Sequence, residues 1–236
     1  MPVSVKDQVV LVVGASSGIG RECAVQFASE GARVMAAARR QDRLASLRER
    51  GISAYVADAV EPVQMQKLAE HTRATLGPID ILVYATGTNV PDRSLKRLTT
   101  GIWDMMIDVN LSGAYYVTQA VLPSMRERRA GHLIFISSIS GMVPDISGAA
   151  YQAAKRGLLG LAHAIRVEEK ENGIRTCVVC PGLVDTEILD RRPVKPTAEV
   201  LAKALQPEDV AELVVAIAKL PARAAVPEVQ LMPTVL

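Results

Sequence analysis

No stretch of this chain is apolar for long enough to span a bilayer, which excludes a transmembrane protein built on hydrophobic helices. Met1 to Asp7 holds no apolar leader core, and Val9 to Val13 is too short to be one, so a cytoplasmic protein is expected. Net charge is scarce. A formal +2, with Lys and Arg scattered along the chain, is too little to hold nucleic acid or an anionic membrane. Cysteine is also sparse: Cys23, Cys177 and Cys180. The last two form Cys-Val-Val-Cys, but Ile174 to Cys180 reads as a buried strand. Residues three apart on a strand point to opposite faces, with Cα atoms about 10 Å apart, beyond the reach of a disulfide. No second Cys or His pair stands at zinc spacing, so no metal is expected. Linkers, repeats and low-complexity segments are lacking, and one domain over residues 1–236 is expected. The composition, 49% hydrophobic and 22% charged, suits a packed core.

What is present is a regular alternation. Val9 to Val13 is a continuous apolar run, as expected of a strand buried on both faces. Further strands are expected at Arg33 to Ala38, Ile52 to Ala57, Asp80 to Tyr84, Gly131 to Ser137, Ile174 to Cys180 and Val229 to Met232. Between them lie helical stretches at Arg21 to Glu30, Gln41 to Arg50, Pro62 to Leu76, about Ser94 to Arg129 with a break or offset near Thr99 to Gly101, about Ser147 to Asn172, and Pro207 to Leu220. The alternation implies an α/β fold: a Rossmann-like, doubly wound parallel sheet of about seven strands with helices on both faces.

The first strand runs straight into Gly14-Ala-Ser-Ser-Gly18-Ile-Gly20 and then a helix. Glycines let the backbone turn tightly and approach an anion, and a helix N-terminus supplies N–H groups and dipole. In dinucleotide-binding folds an acid about 20 residues on commonly holds the ribose 2′-hydroxyl. Here Ala38 stands in that place, followed by Arg39 and Arg40. An acid would repel a 2′-phosphate and an arginine pairs with it, so NADP(H) is favoured over NAD. Further on, Tyr151 and Lys155 are four residues apart, on one face of a helix. A cation beside a phenol favours the phenolate and is expected to pull the Tyr151 pKa down from about 10.

These motifs stand in one order. Gly14-x-x-x-Gly18-x-Gly20, Asn110 in Val-Asn-Leu, Ser138 in Ser-Ser-Ile-Ser-Gly, Tyr151 to Lys155, and Pro181-Gly182-x-Val184-x-Thr186 resemble the short-chain dehydrogenase/reductase family from about Val9 to the chain end. The resemblance implies an oxidoreductase that moves hydride between nicotinamide and a carbonyl or alcohol. Tyr151 would pass the proton, Lys155 would lower its pKa and hold the nicotinamide ribose, and Ser138 would bond the reacting oxygen. Asn110 would sit at an irregularity in its helix and hold a water. Around the cofactor it implies Gly14, Ser16, Ser17, Gly18, Ile19 and Gly20 at the pyrophosphate, Arg39 with Arg40 at the 2′-phosphate, and Asp58 at the adenine. Ala85 and Gly87 would flank it, and Pro181, Gly182, Val184 and Thr186 would meet the nicotinamide side. Val13 stands where a Thr often precedes the first glycine. Tyr84-Ala85-Thr86-Gly87 replaces the family's usual Asn-Asn-Ala-Gly. The alternative is a sensor or scaffold that keeps the fold without catalysis.

The substrate wall is expected from Ser140 to Ile146, Thr88 to Val90 and a lid over about 183–206. Ser138, Ser140, Met142, Tyr151 and Leu183 would touch the substrate, a small carbonyl or alcohol compound. Met142, Val143, Ile146 and Leu183 favour an apolar one; Arg191, Arg192 and Lys195 in the lid would suit an acidic one, but exposed loop charges of this kind are expected to be solvated. The helices carrying Asn110 and Tyr151 show apolar residues on more than one side: Tyr115, Tyr116, Val117 and Val121 on one, Leu158, Leu159, Leu161 and Ile165 on the other. A partner subunit is the expected cover, with burial by the chain's own loops as the alternative, and the resemblance implies a homodimer or homotetramer built on these helices.

Overall fold

The computed structural model describes residues 3–235. Val9–Val13 (β1) is buried at every position. The other strands are Arg33–Ala38 (β2), Ser53–Val56 (β3), Ile81–Tyr84 (β4), Gly131–Ile136 (β5), Ile174–Pro181 (β6) and Glu228–Leu231 (β7). All pair in parallel, in the order β3-β2-β1-β4-β5-β6-β7. This is the Rossmann-like, doubly wound α/β fold. Parallel neighbours need long crossovers, and helices supply them: Gly18–Ser29 (α1), Gln41–Arg48 (α2), Pro62–Leu76 (α3), Thr100–Ile107 (α4), Gly113–Arg128 (α5), Ala149–Glu169 (α6), Ala198–Leu201 (α7) and Pro207–Ala218 (α8).

Side chains of the strands alternate between two cores. Leu11, Met35, Leu82, Tyr84, Phe135 and Cys180 face α3, α5 and α6. Val10, Val12, Ala36, Val83, Ile134 and Cys177 face α1, α2 and α8. Cys177 and Cys180 thus lie on opposite faces, and all three cysteines are buried and unbridged. Strand order reverses between β1 and β4, so a crevice opens beyond their carboxyl ends. Among the described residues no helix is long and apolar enough to cross a membrane.

The helical region from Ser94 to Arg129 is not continuous, as the break expected near Thr99 to Gly101 implied. A 3-10 turn, Leu95–Arg97, precedes α4, and a π-helical turn, Asp108–Ser112, joins α4 to α5. The Thr99 side chain, accepting from Ile102 N at 3.2 Å, caps α4 and fixes the first break. Nor do all the apolar residues of α5 and α6 await a partner. Val117, Val121, Leu158, Leu159 and Ile165 are buried within the single chain, because each helix packs on the sheet and on its neighbours at once. Of the residues named, Tyr115 is left largely exposed, with Tyr116 and Leu161 half-buried.

Candidate active site

The glycine loop begins where β1 runs out. Gly14 has φ +95, and a Cβ there would lie 2.7 Å from the Ala85 carbonyl carbon and the Thr86 nitrogen. Only glycine lets the loops after β1 and β4 touch in this way. Ser17 is extended and makes no side-chain cap on α1, so the first N–H groups of that helix lack an internal acceptor. Gly20 does not line the crevice; its missing side chain makes room for the Gly14 carbonyl. Thr186 closes the far side, its Cγ2 standing 3.1 Å from where a Cβ on Gly18 would be.

At the end of β2, Arg40 rather than Arg39 is the more engaged arginine. Its guanidinium donates to Ser16 Oγ at 2.9 and 3.1 Å, to Ser17 Oγ at 2.6 Å and to Glu187 at 2.8 Å. Arg43 reaches the same Glu187 carboxylate at 3.0 Å. These contacts hold the Glu187 carboxyl below its usual range, the Arg40 hydrogen bond foremost. Arg39 is exposed and meets only Asp58, at 3.5 Å. Arg43 and Glu187 were not singled out from sequence; nothing in their local pattern marks them, and they meet only because the lid folds over β2.

Beyond β4 the π-helical turn buries Asn110 completely. Its amide donates to Met106 O at 2.9 Å and Thr88 O at 3.1 Å, and its Oδ1 accepts from Thr88 N at 3.0 Å. Asn110 therefore lies behind the cavity wall, not in it. It ties the loop after β4 to the helix. Gly87 lies between Asn110 and Lys155: a Cβ there would stand 3.4 Å from both Asn110 Oδ1 and Lys155 Nζ.

Helix α6 is fastened to β5 by Ser137, which donates to Lys155 O at 2.8 Å. Lys155 Nζ is buried, donates to Ile136 O at 3.1 Å and lies 5.7 Å from the centre of the Tyr151 ring. Burial lowers its pKa to about 8. Burial also pushes the Tyr151 phenol up to about 12, against the pull of a hydrogen bond from Ser138 and the nearby charges of Arg93 and Arg192. The expected fall does not occur. Desolvation outweighs every nearby cation, and Lys155 spends a hydrogen bond on a carbonyl.

One cavity of about 880 Å³ joins these parts. Gly14, Ser16, Ser17, Gly18, Ile19, Arg39, Arg40, Asp58, Ala85 and Gly87 line it towards one end; Ser138, Ser140, Tyr151, Lys155, Pro181, Gly182, Leu183, Val184 and Thr186 line it towards the other. Met142 is absent from this lining and packs instead against the core under α6. Val143 and Ile146 are exposed, and Ile146 borders a separate shallow crevice with Pro193. The wall beside Tyr151 is thus less apolar than its sequence suggests. Asn89 and Asp145, within the expected walls, also line the cavity, and so does Arg93, which the sequence reading did not single out.

Residues 8–196 match the family model described as short chain dehydrogenase, and the chain belongs to that family of oxidoreductases. An uncharacterized oxidoreductase of Staphylococcus saprophyticus is 34% identical over 221 residues, 89% of each chain. A serine dehydrogenase solved in its closed form with NADP+ is 31% identical, covers 95% of this chain and 94% of its own, and superposes with a TM-score of 0.88. An actinorhodin polyketide ketoreductase solved with NADPH is 28% identical, with 98% and 97% covered and a TM-score of 0.86.

Proposed function

We propose that the protein is an NADP(H)-dependent oxidoreductase acting on a carbonyl/alcohol pair, with Tyr151 as its general acid and base. The observation that carries this reading is the single cavity with a glycine cradle and arginines at one end and Ser138, Tyr151 and Lys155 at the other. The cradle suits a dinucleotide. Gly14 and Gly18 line the cavity with backbone alone, the α1 N-terminus offers N–H groups, and Arg39, Arg40 and Arg43 supply positive charge for a 2′-phosphate. That two relatives were solved with NADP+ and NADPH supports the same choice.

When bound, NADPH would supply a hydride for the carbonyl carbon. The carbonyl oxygen then gains negative charge, which the Ser138 and Tyr151 hydroxyls stabilise as donors. Tyr151 releases its proton to that oxygen, completing the alcohol, and the reverse direction returns the proton to the phenolate. Lys155 titrates near 8 and so stays mostly charged at neutral pH, which favours the phenolate. Asn110 holds the loop and helix that flank Lys155. Tyr151→Phe should lower kcat by about 10²- to 10⁴-fold on the best of a panel of ketones and aldehydes while leaving NADPH binding intact. NADPH oxidation followed by absorbance checks this. Equal rates for the two proteins on every substrate would favour a non-catalytic dinucleotide sensor.

A further inference from the structure

Arg93, Arg191 and Arg192 all line the cavity, and the charges of Arg93 and Arg192 act on each other and on Tyr151. Their neighbours are accounted for differently. Lys195 pairs with Asp190 at 2.6 Å and Arg97 with Asp92 at 3.3 Å. Among the described residues, no carboxylate lies within salt-bridge distance of Arg93, Arg191 or Arg192. Asp145, on the same cavity wall and acting on the charge of Arg93, is engaged elsewhere by hydrogen bonds. It accepts from Ser147 N at 2.8 Å, from Ser147 Oγ at 3.0 Å and from Ser140 Oγ.

Arg93 is built in rather than left loose. Its Nε donates to Val90 O at 3.0 Å and its Nη2 to Arg191 O at 3.1 Å. Its backbone and stem lie against Gly148, whose φ is +91. A Cβ at that position would stand 2.8 Å from Arg93 Cβ and 2.9 Å from Arg93 O. Gly148 is also the residue that leads into α6, so Arg93 is held directly against the base of the helix that carries Tyr151. Burial, and after it the charge of Arg192, disfavour the charged form of Arg93; Tyr151 and Asp145 work the other way. A fixed, partly desolvated cation with a like charge beside it is unfavourable by itself, and an anion in the cavity relieves it.

We propose that this end of the cavity binds the carboxylate of an oxo or hydroxy acid, with Arg93 as the fixed anchor and Arg192 closing on it from the lid. Arginine suits the task because its planar fork matches a carboxylate. The carboxylate would lie beside Tyr151, so the reacting carbonyl belongs to a short acid. This inference rests on the reading of Tyr151 as the proton-transfer group.

The test pairs oxobutanoates and oxopentanoates, with the ketone at successive carbons, against their uncharged methyl esters. NADPH oxidation is followed for wild type, Arg93→Gln and Arg93→Lys, and short hydroxy acids are titrated calorimetrically into the protein with NADP+ present. For the best acid, wild type should prefer the acid to its ester by about tenfold or more in kcat/KM. Arg93→Gln should cut kcat/KM on the acid by about 30-fold and on the ester by less than about threefold, and Arg93→Lys should recover part of the loss. Arg192→Gln, on the lid, should show a smaller effect of the same kind and serves if Arg93→Gln does not fold. Ester preferred to acid by wild type, or an acid-to-ester ratio unchanged by either Gln variant, overturns the proposal and leaves the oxidoreductase reading standing. Hydroxy-acid binding lost in the Gln variants, with no turnover of any substrate, upholds the carboxylate site and removes the catalytic reading. No turnover and no binding by wild type overturns the proposal.

Discussion

His132 is an isolated polar side chain in a core. It lies on β5, is buried, and among the described residues neither ring nitrogen finds a hydrogen-bond partner. Burial, and secondarily the charge of Arg175 on the paired strand, lower its pKa from 6.5 to about 3. The folded state therefore binds this proton less readily than the unfolded chain. Its contribution to stability is complete above 6.5 and is lost as pH falls towards 3. Urea denaturation from pH 7 down to pH 4 should show a loss that His132→Leu reduces; equal losses in the two proteins would refute it. The same scale shows what was legible. The resemblance set Asn110 at an irregularity in its helix, and it does occupy the π-helical turn. What steadies that turn was not legible. Tyr84, standing where the family usually has asparagine, donates to Val109 O at 2.8 Å, and its hydroxyl occupies the space a side chain at Gly113 would need. A one-for-one comparison of types records a lost asparagine; the structure has a longer side chain reaching a different carbonyl.

Among the elements, the strands and the helices between them were readable because alternation, apolar runs and glycine turns act over a few residues. The lid was not. It contains a 3-10 turn, Glu187–Arg191, and the short α7, and what matters about it is where Glu187 lands. That carboxylate spans Arg40 and Arg43 over the glycine loop, in the role an anion of the cofactor is proposed to take. These pairs are about half exposed, so each contributes little to stability. Their effect should appear in competition instead. Glu187→Gln should tighten NADPH binding by about two- to fivefold, measured by fluorescence titration, because one competitor for Arg40 loses its charge. Unchanged or weaker binding would show that Glu187 does not compete. Arg93 illustrates the same limit of the sequence. It and Arg192 are far apart in the chain, and no periodicity links them.

At the scale of the whole molecule, the apolar residues of α5 and α6 were read as needing a partner, yet most are covered by the chain's own sheet and helices. What is left is a smaller exposed set, including Trp103 and Met105 on α4, Tyr115 on α5 and Val167 on α6. We expect this set to be covered by a second copy, giving a homodimer or homotetramer through α4, α5 and α6. Light scattering should give a mass of at least twice the 25.3 kDa of the chain, and Tyr115→Glu should lower it; a wild-type particle of single-chain mass would refute this.

The strand order has a consequence for how the protein comes into being. On the ribosome, β1, β2 and β3 emerge first and can pair at once. The crevice has only one wall until β4 arrives, and the contact of Val9 N with Asp80, at 2.8 Å, joins positions 71 residues apart. Closing so distant a contact is entropically slow. The glycine loop thus lacks its Ala85 and Thr86 contacts throughout the synthesis of α2, β3 and α3. Tyr151, farther on again, cannot meet that loop until most of the polypeptide has been made.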